Sequence, residues 1–397
     1  MKTQKLFVVV IVLLLASCRK EEFTNNPTDA SQSSLHEMIA ENGNNPDEAI
    51  LSATARTSEE DEGYVYIQSN DADKNTIINF AQSHEDGSLT LEETVMTGGK
   101  GAGKALGSEG AVALNKNHTW LLAVNAGSNS ISSFSVDEEG DLELKDTKSS
   151  EGKFPVSVCI YGDLVYVVNS DSWDIAGFTL QSDGRLHYIT GSHQKLSAPG
   201  AAPAQIAFSP DGHSVVVTEK LTNTISTFKL SSAGAAGAGI FTPSVGKEPF
   251  GFDFSRNMYM VVSNAAAGTP NKSSCTSYGG LPHPSAINGA IPNFQTAACW
   301  VSASKYGRFA YVANTGSNTI VTYYVASSGD IFFLPWTIMQ TGKAPSDLRV
   351  SGDNKYVYCI NSESHTIGKF KRTFFGILIN IGHVSNIPAH AAGMAAY

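Results

Sequence analysis

Apolar and polar residues alternate along most of the chain with the period of two that is typical of β-strands. The clearest stretch is residues 308–325, RFAYVANTGSNTIVTYYV, in which Phe309, Tyr311 and Val312 mark one strand. A polar turn at 314–318 follows, and residues 319–325 form a second strand of β-branched and aromatic residues. Such a hairpin cannot bury its own faces, so the unit has to be repeated.

The same hairpin pattern occurs seven times, and the copies are 44 to 55 residues apart. A period in this range is the length of a four-stranded propeller blade, and the apolar period near 3.6 that helical repeats need is absent. A short apolar stretch before each hairpin supplies an innermost strand. In most copies a glycine turn such as DGSL supplies an outer strand. The sequence therefore predicts an all-β, seven-bladed β-propeller with four-stranded antiparallel blades.

The two ends of the repeat region predict how the ring closes. The first copy begins directly with its second strand at Tyr64, whereas residues 390–397 form an innermost-type stretch without a hairpin of its own. The C-terminal strand should therefore join the N-terminal blade. Closure of this kind covers sheet edges that would otherwise pair with other chains.

The N-terminal segment predicts export. Lys2 and Lys5 precede about ten apolar residues, too few to span a bilayer as a helix. Residues 15–18, LASC, resemble a bacterial lipobox, which implies that residues 1–17 are a lipoprotein signal peptide and that Cys18 is lipidated. The alternative is an ordinary signal peptide with an incidental cysteine. The following RKEE resembles signals that direct lipoproteins to the cell surface.

The domain prediction has two parts after the signal. Residues 18–62 are a lipidated, polar tether, and residues 63–397 are the propeller. The predicted location is the outer membrane, on the cell surface or on the periplasmic face, with the lipid anchor as the only membrane contact. A monomer is expected.

Charge and cysteine content limit the classes of partner. A formal net charge of −10 without a basic cluster argues against nucleic acid. The spacings of zinc sites do not occur, so no metal or other cofactor is predicted. A disulfide between Cys275 and Cys299 is compatible with an oxidising compartment, although the strands predicted to carry these residues are normally separated by another strand.

Two rings of residues are predicted to meet at one face of the central channel. One ring ends the first strand of each hairpin: Asn70, Asn125, Asn169, Glu219, Asn264, Asn314 and Asn361. The other begins each innermost strand: Gly110, Ser157, Gln205, Gly251, Cys299, Asp347 and Gly393. Small molecules, glycans or peptides are the expected ligands of such a face.

Glu219 alone departs from asparagine in its ring, and a carboxylate in a partly closed polar channel can act as a general acid or base. Its alternative role is that of a solvated or salt-bridged residue at the rim. The predicted ligand contacts are Gln205, Lys220, Ser157, Asp347, Cys299, Asn169 and Asn314. For the asparagines, capping of the adjacent turns is the alternative role.

Two further features lie outside these rings. His390 precedes the closing strand and could approach the mouth of the channel. Residues 265–294 lack the DGxL-type turn, so they form either a lid over the channel or a loosely folded fourth strand.

The YVAN and YVVN strand ends, the SNTI turns, the SPDG turns and the DGxL outer strands resemble the lactonase-type seven-bladed propellers. This family includes propeller 6-phosphogluconolactonases, 3-carboxymuconate cyclase-like proteins and YVTN-like repeats. The resemblance implies a glutamate at the position of Glu219. It also implies histidines and an Arg-His pair where this chain has Gly110, Ser157 and Ala204-Gln205.

Three functions remain open at this point. The first is ligand binding at the channel face. The second is lactone hydrolysis or a carboxymuconate cyclase-like cycloisomerisation that uses Glu219. The third is a structural or adhesive scaffold at the cell surface.

Overall fold

The computed structural model describes residues 63–397, and these residues form a seven-bladed β-propeller, as the sequence predicts. The predicted signal peptide, Cys18 and the tether lie outside the described residues. The strands are β1 Gly63–Gln68, β2 Thr76–Gln82, β3 Leu89–Met96, β4 Val112–Leu114, β5 Trp120–Asn125, β6 Ser130–Val136, β7 Leu142–Ser149, β8 Pro155–Tyr161, β9 Leu164–Asn169, β10 Asp174–Leu180, β11 Leu186–Tyr188, β12 Gln194–Lys195, β13 Pro203–Phe208, β14 Ser214–Glu219, β15 Thr224–Lys229, β16 Ile240–Pro243, β17 Pro249–Phe254, β18 Met260–Asn264, β19 Ser274–Gly279, β20 Ser285–Ala286, β21 Ile291–Pro292, β22 Ala298–Ala303, β23 Phe309–Asn314, β24 Thr319–Val325, β25 Ile331–Phe333, β26 Met339–Gln340, β27 Pro345–Val350, β28 Tyr356–Asn361, β29 Thr366–Arg372, β30 Leu378–Ser385 and β31 Ala392–Ala396.

Each blade is an antiparallel sheet of consecutive strands, numbered here in chain order. From the inner to the outer edge the blades are β31-β1-β2-β3, β4 to β7, β8 to β12, β13 to β16, β17 to β21, β22 to β26 and β27 to β30. In blades 3, 5 and 6 the outer strand consists of two short pieces. Residues 265–294 therefore complete blade 5, because both β20 and β21 pair with β19, and the lid alternative is not found.

The C-terminal strand closes the ring as predicted. Met394 in β31 lies opposite Ile67 in β1, and the peptide groups of Tyr64 and Tyr397 exchange hydrogen bonds of 3.0 and 3.1 Å. Met394 is fully buried in an apolar cluster shared by blades 1 and 7. The last blade is thereby held to the first by β-pairing as well as by side-chain packing.

Tyrosine side chains join neighbouring blades through the glycine turns that the sequence repeats. The hydroxyl of Tyr66 donates to the carbonyl of Gly140 in the next blade at 2.7 Å, and Tyr166 does the same to Gly234 at 2.6 Å. Gly140 has a φ of 76°, and a Cβ there would lie 2.5 Å from the ring of Tyr64. The turn therefore needs glycine both for its backbone conformation and for its close packing.

Several smaller features complete the fold. Within residues 63–397 the short 3-10 helices are Ala126–Ser128, Arg256–Met258, Ala266–Gly268 and Pro335–Thr337. No helix in this part of the chain is long and apolar enough to cross a membrane. Cys159, Cys275, Cys299 and Cys359 are free, buried thiols, so the disulfide between Cys275 and Cys299 is not formed.

Candidate functional site

The connection between blades 1 and 2 runs into the mouth of the central channel, and its residues 104–109 are called the plug. The plug is fixed by several blades at once. The Ser108 hydroxyl donates to the carbonyl of Val156 at 2.8 Å, and the N–H of Glu109 donates to the carbonyl of Ala204 at 2.9 Å. From blade 6 the Trp300 indole N–H donates to the carbonyl of Ser108 at 3.0 Å. These bonds hold the plug in one position relative to the ring.

Glu109 is the plug residue whose side chain enters the channel. Its Oε1 accepts a hydrogen bond from Arg349 Nη1 at 2.7 Å, and its Oε2 accepts one from the N–H of Val301 at 3.2 Å. The carboxylate is fully buried, whereas about a fifth of the Arg349 side chain is exposed. The ion pair therefore ties the plug to blade 7, and the bond from Val301 ties it to blade 6.

Two more buried carboxyl groups share this cation. Asp347 Oδ1 lies 3.5 Å from Arg349 Nη1, and the charge of Arg349 also acts on Asp253. Burial raises the pKa of Glu109 to about 8 and that of Asp347 to about 6, and Arg349 opposes both rises. Three carboxyl groups face one guanidinium, so the cluster retains protons at pH values above the ordinary pKa range of carboxyl groups.

This cluster predicts how stability depends on pH. At pH values between the unfolded-state and folded-state pKa values of these carboxyl groups, the folded chain binds more protons than the unfolded chain. The contribution of this protonation to stability is therefore complete below the ordinary carboxyl pKa and is lost as the pH rises. We expect the free energy of unfolding in urea to decrease from about pH 5 to about pH 8, and Glu109→Gln to reduce that slope. A slope that Glu109→Gln leaves unchanged would contradict the protonation of the cluster.

A cavity of about 700 Å³ lies beside the plug, between the connections of blades 6, 7 and 1. Trp300 and the plug residues 104–108 form part of its wall. Its charged and titratable lining residues are Lys104, Lys343, Glu363, His365 and His390. With two ammonium groups and two imidazoles against one carboxylate, the cavity favours a small anionic or polar ligand.

His390 has a carboxylate in its surroundings. The exposed side chain of Asp71 accepts hydrogen bonds from the N–H groups of Asp73 and Lys74, both at 2.9 Å. These bonds lower the pKa of Asp71, and the charge of His390 lowers it further. An imidazole at the wall of a cavity, within the field of a carboxylate, can accept and return a proton.

Glu219 does not line this cavity or a smaller one that is formed mainly by innermost strands. Its carboxylate is 0% exposed. It accepts hydrogen bonds from the N–H and the hydroxyl of Ser197, from the Thr222 hydroxyl at 2.6 Å and from the Ser226 hydroxyl. These hydrogen bonds show that Glu219 joins the connection between blades 3 and 4 to the turn after β14. Its catalytic role stays a prediction.

The Glu219→Gln variant distinguishes the two roles. An amide would place an NH₂ donor against hydroxyl and N–H donors, so we expect the free energy of unfolding to fall by about 1–3 kcal/mol. Chemical denaturation measures this loss directly. Turnover per folded molecule should be unchanged, and a loss of turnover without a loss of stability would instead support the predicted acid/base role.

Three predicted ligand contacts tie innermost strands to one another. Ser157 Oγ accepts from the N–H of Ile206 at 3.1 Å, and Gln205 Oε1 accepts from the N–H of Phe252 at 2.6 Å. Asp347 Oδ2 accepts from the N–H of Met394 at 3.0 Å. Each bond links one blade to the next, so these side chains surround the channel but their named acceptors are occupied.

The other predicted contacts are divided between turns, core and plug. Asn169 Nδ2 donates to Asp174 Oδ1 at 3.1 Å, and Asn314 Nδ2 donates to Thr319 Oγ1 at 3.3 Å, so both support local turns. Burial raises the pKa of the Cys299 thiol to about 12, which makes it a poor nucleophile. Lys220 Nζ donates to the carbonyl of Gly107 and lies 4.9 Å from the centre of the Phe250 ring.

The repeat pattern of the sequence does not indicate Glu109, Arg349 and Trp300 as parts of this site. One signal was present, because the glycine-rich stretch GGKGAGKALGSEG at 98–110 precedes an innermost strand and has the charged residue Glu109 next to its last glycine. His390, placed near the channel mouth by the sequence, does line the cavity. Within residues 63–397, no group of three or more His, Cys, Asp or Glu is arranged to hold a metal ion.

A closed ring of seven sheets with a charged cavity at one mouth of its channel defines a propeller with a candidate ligand site. Comparison of the sequence with known families makes the assignment specific. Residues 60–200 and 282–376 match the family described as "Lactonase, 7-bladed beta-propeller". The chain belongs to this family, and the predicted resemblance is confirmed.

Individual relatives agree with this assignment. A 6-phosphogluconolactonase of Bacillus subtilis (strain 168) is 26% identical over 304 residues, which are 72% of this chain and 85% of the relative. The structure of a Bacteroides uniformis protein, provisionally named a 6-phosphogluconolactonase, matches with a TM-score of 0.69 and 18% identity over 85% of this chain and 100% of that one. The periplasmic gluconolactonase of Pseudomonas aeruginosa matches with a TM-score of 0.66 and 17% identity over 85% and 99% of the two chains. The two structural matches establish the shared fold.

Proposed function

We propose that the protein hydrolyses a sugar-type lactone in the cavity beside the plug. The observation that carries this proposal is the lining of that cavity, in which Lys104, Lys343, His365 and His390 stand in one space of about 700 Å³. Membership of the lactonase family and relatives named 6-phosphogluconolactonase and gluconolactonase support the reaction class. The Glu219-centred mechanism has less support, because that carboxylate is buried away from the cavity.

The chemistry of the proposed reaction needs a base and cationic contacts. His390 accepts a proton from water, the water oxygen bonds to the lactone carbonyl carbon, and the carbonyl π electrons move to its oxygen. When the tetrahedral intermediate collapses, the ring C–O bond breaks and the imidazolium returns its proton to the leaving oxygen. The product is an open hydroxy acid. Lys104 and Lys343 balance the negative charge of an acidic substrate and of this product.

The test is an assay of the purified protein with a panel of lactones of different ring size and charge. We expect hydrolysis of sugar lactones, with kcat/KM higher for a lactone that carries a carboxylate or phosphate than for its neutral counterpart. Binding of these lactones without any turnover would contradict hydrolysis and support a binding protein instead. Absence of both binding and turnover would contradict the assignment of the cavity and leave the scaffold function.

The place of action is proposed from the N-terminal sequence. Its lipobox-like residues 15–18 support a lipoprotein anchored through Cys18 and acting outside the cytoplasm. Metabolic labelling with palmitate tests this directly. Labelling should be lost in Cys18→Ala, and labelling that persists in this variant would contradict the lipid anchor.

A further inference from the structure

The plug contains a buried N–H group for which residues 63–397 offer no acceptor. Ser108 is 3% exposed and lines the cavity, and its backbone N–H has no hydrogen-bond partner among the described residues. Nearly all buried N–H groups in folded proteins are paired. An unpaired donor beside a cavity is therefore available to a ligand.

Three polar groups next to this N–H are occupied. The Ser108 hydroxyl binds the carbonyl of Val156, the Ser108 carbonyl accepts from Trp300, and the next N–H, that of Glu109, binds the carbonyl of Ala204. These bonds fix both sides of the free N–H. A donor held in this way does not have to reorient when charge develops on a ligand, which is the condition for electrostatic stabilisation of a transition state.

Lys220 contacts the opposite side of the same peptide group. The peptide group that joins Gly107 and Ser108 carries the free N–H on one side and the Gly107 carbonyl on the other, because a trans peptide points the two in opposite directions. Lys220 Nζ donates to that carbonyl. A cation on the carbonyl oxygen polarises the peptide and makes its N–H a stronger donor.

We infer that the Ser108 N–H, polarised by Lys220 through the Gly107–Ser108 peptide, is an oxyanion-binding group of the cavity. This inference rests on the proposed lactone hydrolysis for its catalytic meaning. In that reaction the N–H holds the carbonyl oxygen as it gains the electron pair of the C=O bond, and it releases the oxygen when the carbonyl re-forms. Lys220 does not touch the substrate and acts as a positioning residue.

The first test does not depend on turnover. Protein labelled with ¹⁵N-serine is titrated with inorganic phosphate and, separately, with methylphosphonate, both of which present tetrahedral oxyanions. We expect the amide resonance of Ser108 to move, and that of Ser172, in an exposed turn of blade 3, to stay in place. A Ser108 resonance that stays in place while other residues of the cavity respond would overturn the inference.

The second test uses kinetics of Lys220→Met and Lys220→Arg on the best lactone of the panel. A donor removed outright costs about 10²–10³-fold in kcat, so weakening one through Lys220→Met should cost about 10-fold with little change in KM. Lys220→Arg should restore most of the loss, because a guanidinium also reaches the carbonyl with a positive charge. A normal kcat in Lys220→Met would overturn the role of Lys220.

The two proposals fail in different ways. A moving Ser108 resonance in a protein without turnover would retain the oxyanion site and remove the proposed hydrolysis. Turnover with an unresponsive Ser108 and a normal Lys220→Met enzyme would retain the hydrolysis and remove the oxyanion role.

Discussion

Replacing Arg349 with methionine is expected to lower the free energy of unfolding by about 3–5 kcal/mol at about pH 8. The substitution removes the guanidinium that faces Glu109, Asp347 and Asp253 in the channel. Breaking a buried pair by removing one partner leaves an uncompensated buried charge, and this accounts for the size of the loss. Urea unfolding of both proteins at several pH values measures it.

The pH series provides the internal check on this result. The loss should shrink as the pH falls, because protonated carboxyl groups tolerate burial better than carboxylates. Arg185→Met is the matched control, since Arg185 is exposed on an outer turn and its ion pair with Asp183 is 3.7 Å long. That variant should lie within about 0.5 kcal/mol of wild type. An equal loss in both variants would contradict the stabilising role of the channel cluster.

Replacing His390 with glutamine is expected to lower kcat/KM for lactone hydrolysis by about 100-fold. Glutamine keeps a polar side chain of similar reach but cannot take a proton from water at neutral pH. Because His390 is exposed and lies outside the strands, its replacement should leave the unfolding transition where it is. Steady-state kinetics together with a denaturation curve separate the chemical effect from a structural one.

His187→Gln is the control for this experiment, since His187 is an exposed residue of the outer strand β11, away from the cavity. Its kcat/KM should equal that of wild type. Equal activities of His390→Gln, His187→Gln and wild type would show that His390 is not the base.

The propeller could be predicted from the sequence because its determinants are local and repeated. The alternation around Tyr311, the turn at 314–318 and the glycine of each outer turn recur in most blades, and one blade therefore supports the interpretation of the others. Closure followed from the same count, since β1 lacks an inner neighbour within its own repeat. The pattern determined the register because a shift of one residue would turn an apolar strand face towards solvent.

The candidate site could not be derived in the same way. The plug occurs once, and Glu109 reaches Arg349, 240 positions further along the chain, so no repeat pattern reports their contact. Glu219 stands out in sequence because six equivalent residues are asparagines, yet its carboxylate serves the same turn-supporting purpose with different donors. A residue that departs from a repeat can thus be structural, whereas the cavity is formed by segments that lie between the repeats.

The positions where the family resemblance implies histidines and an Arg-His pair are Gly110, Ser157 and Ala204-Gln205 in this chain. The structure has its cationic and imidazole groups elsewhere, on the plug and on the connections of blades 6, 7 and 1. We propose that an acidic substrate binds in this cavity rather than at those positions. The cavity lies beside the channel because the plug forms part of its wall.

A crystal structure with the hydroxy acid product of the best lactone would show directly whether the cavity beside the plug binds the substrate. We expect the product in the cavity beside the plug, with an oxygen within hydrogen-bond distance of the Ser108 N–H and the ring of His390 at the carboxylate. A product bound against Glu219, or in the smaller cavity lined by Gln205, would contradict this prediction.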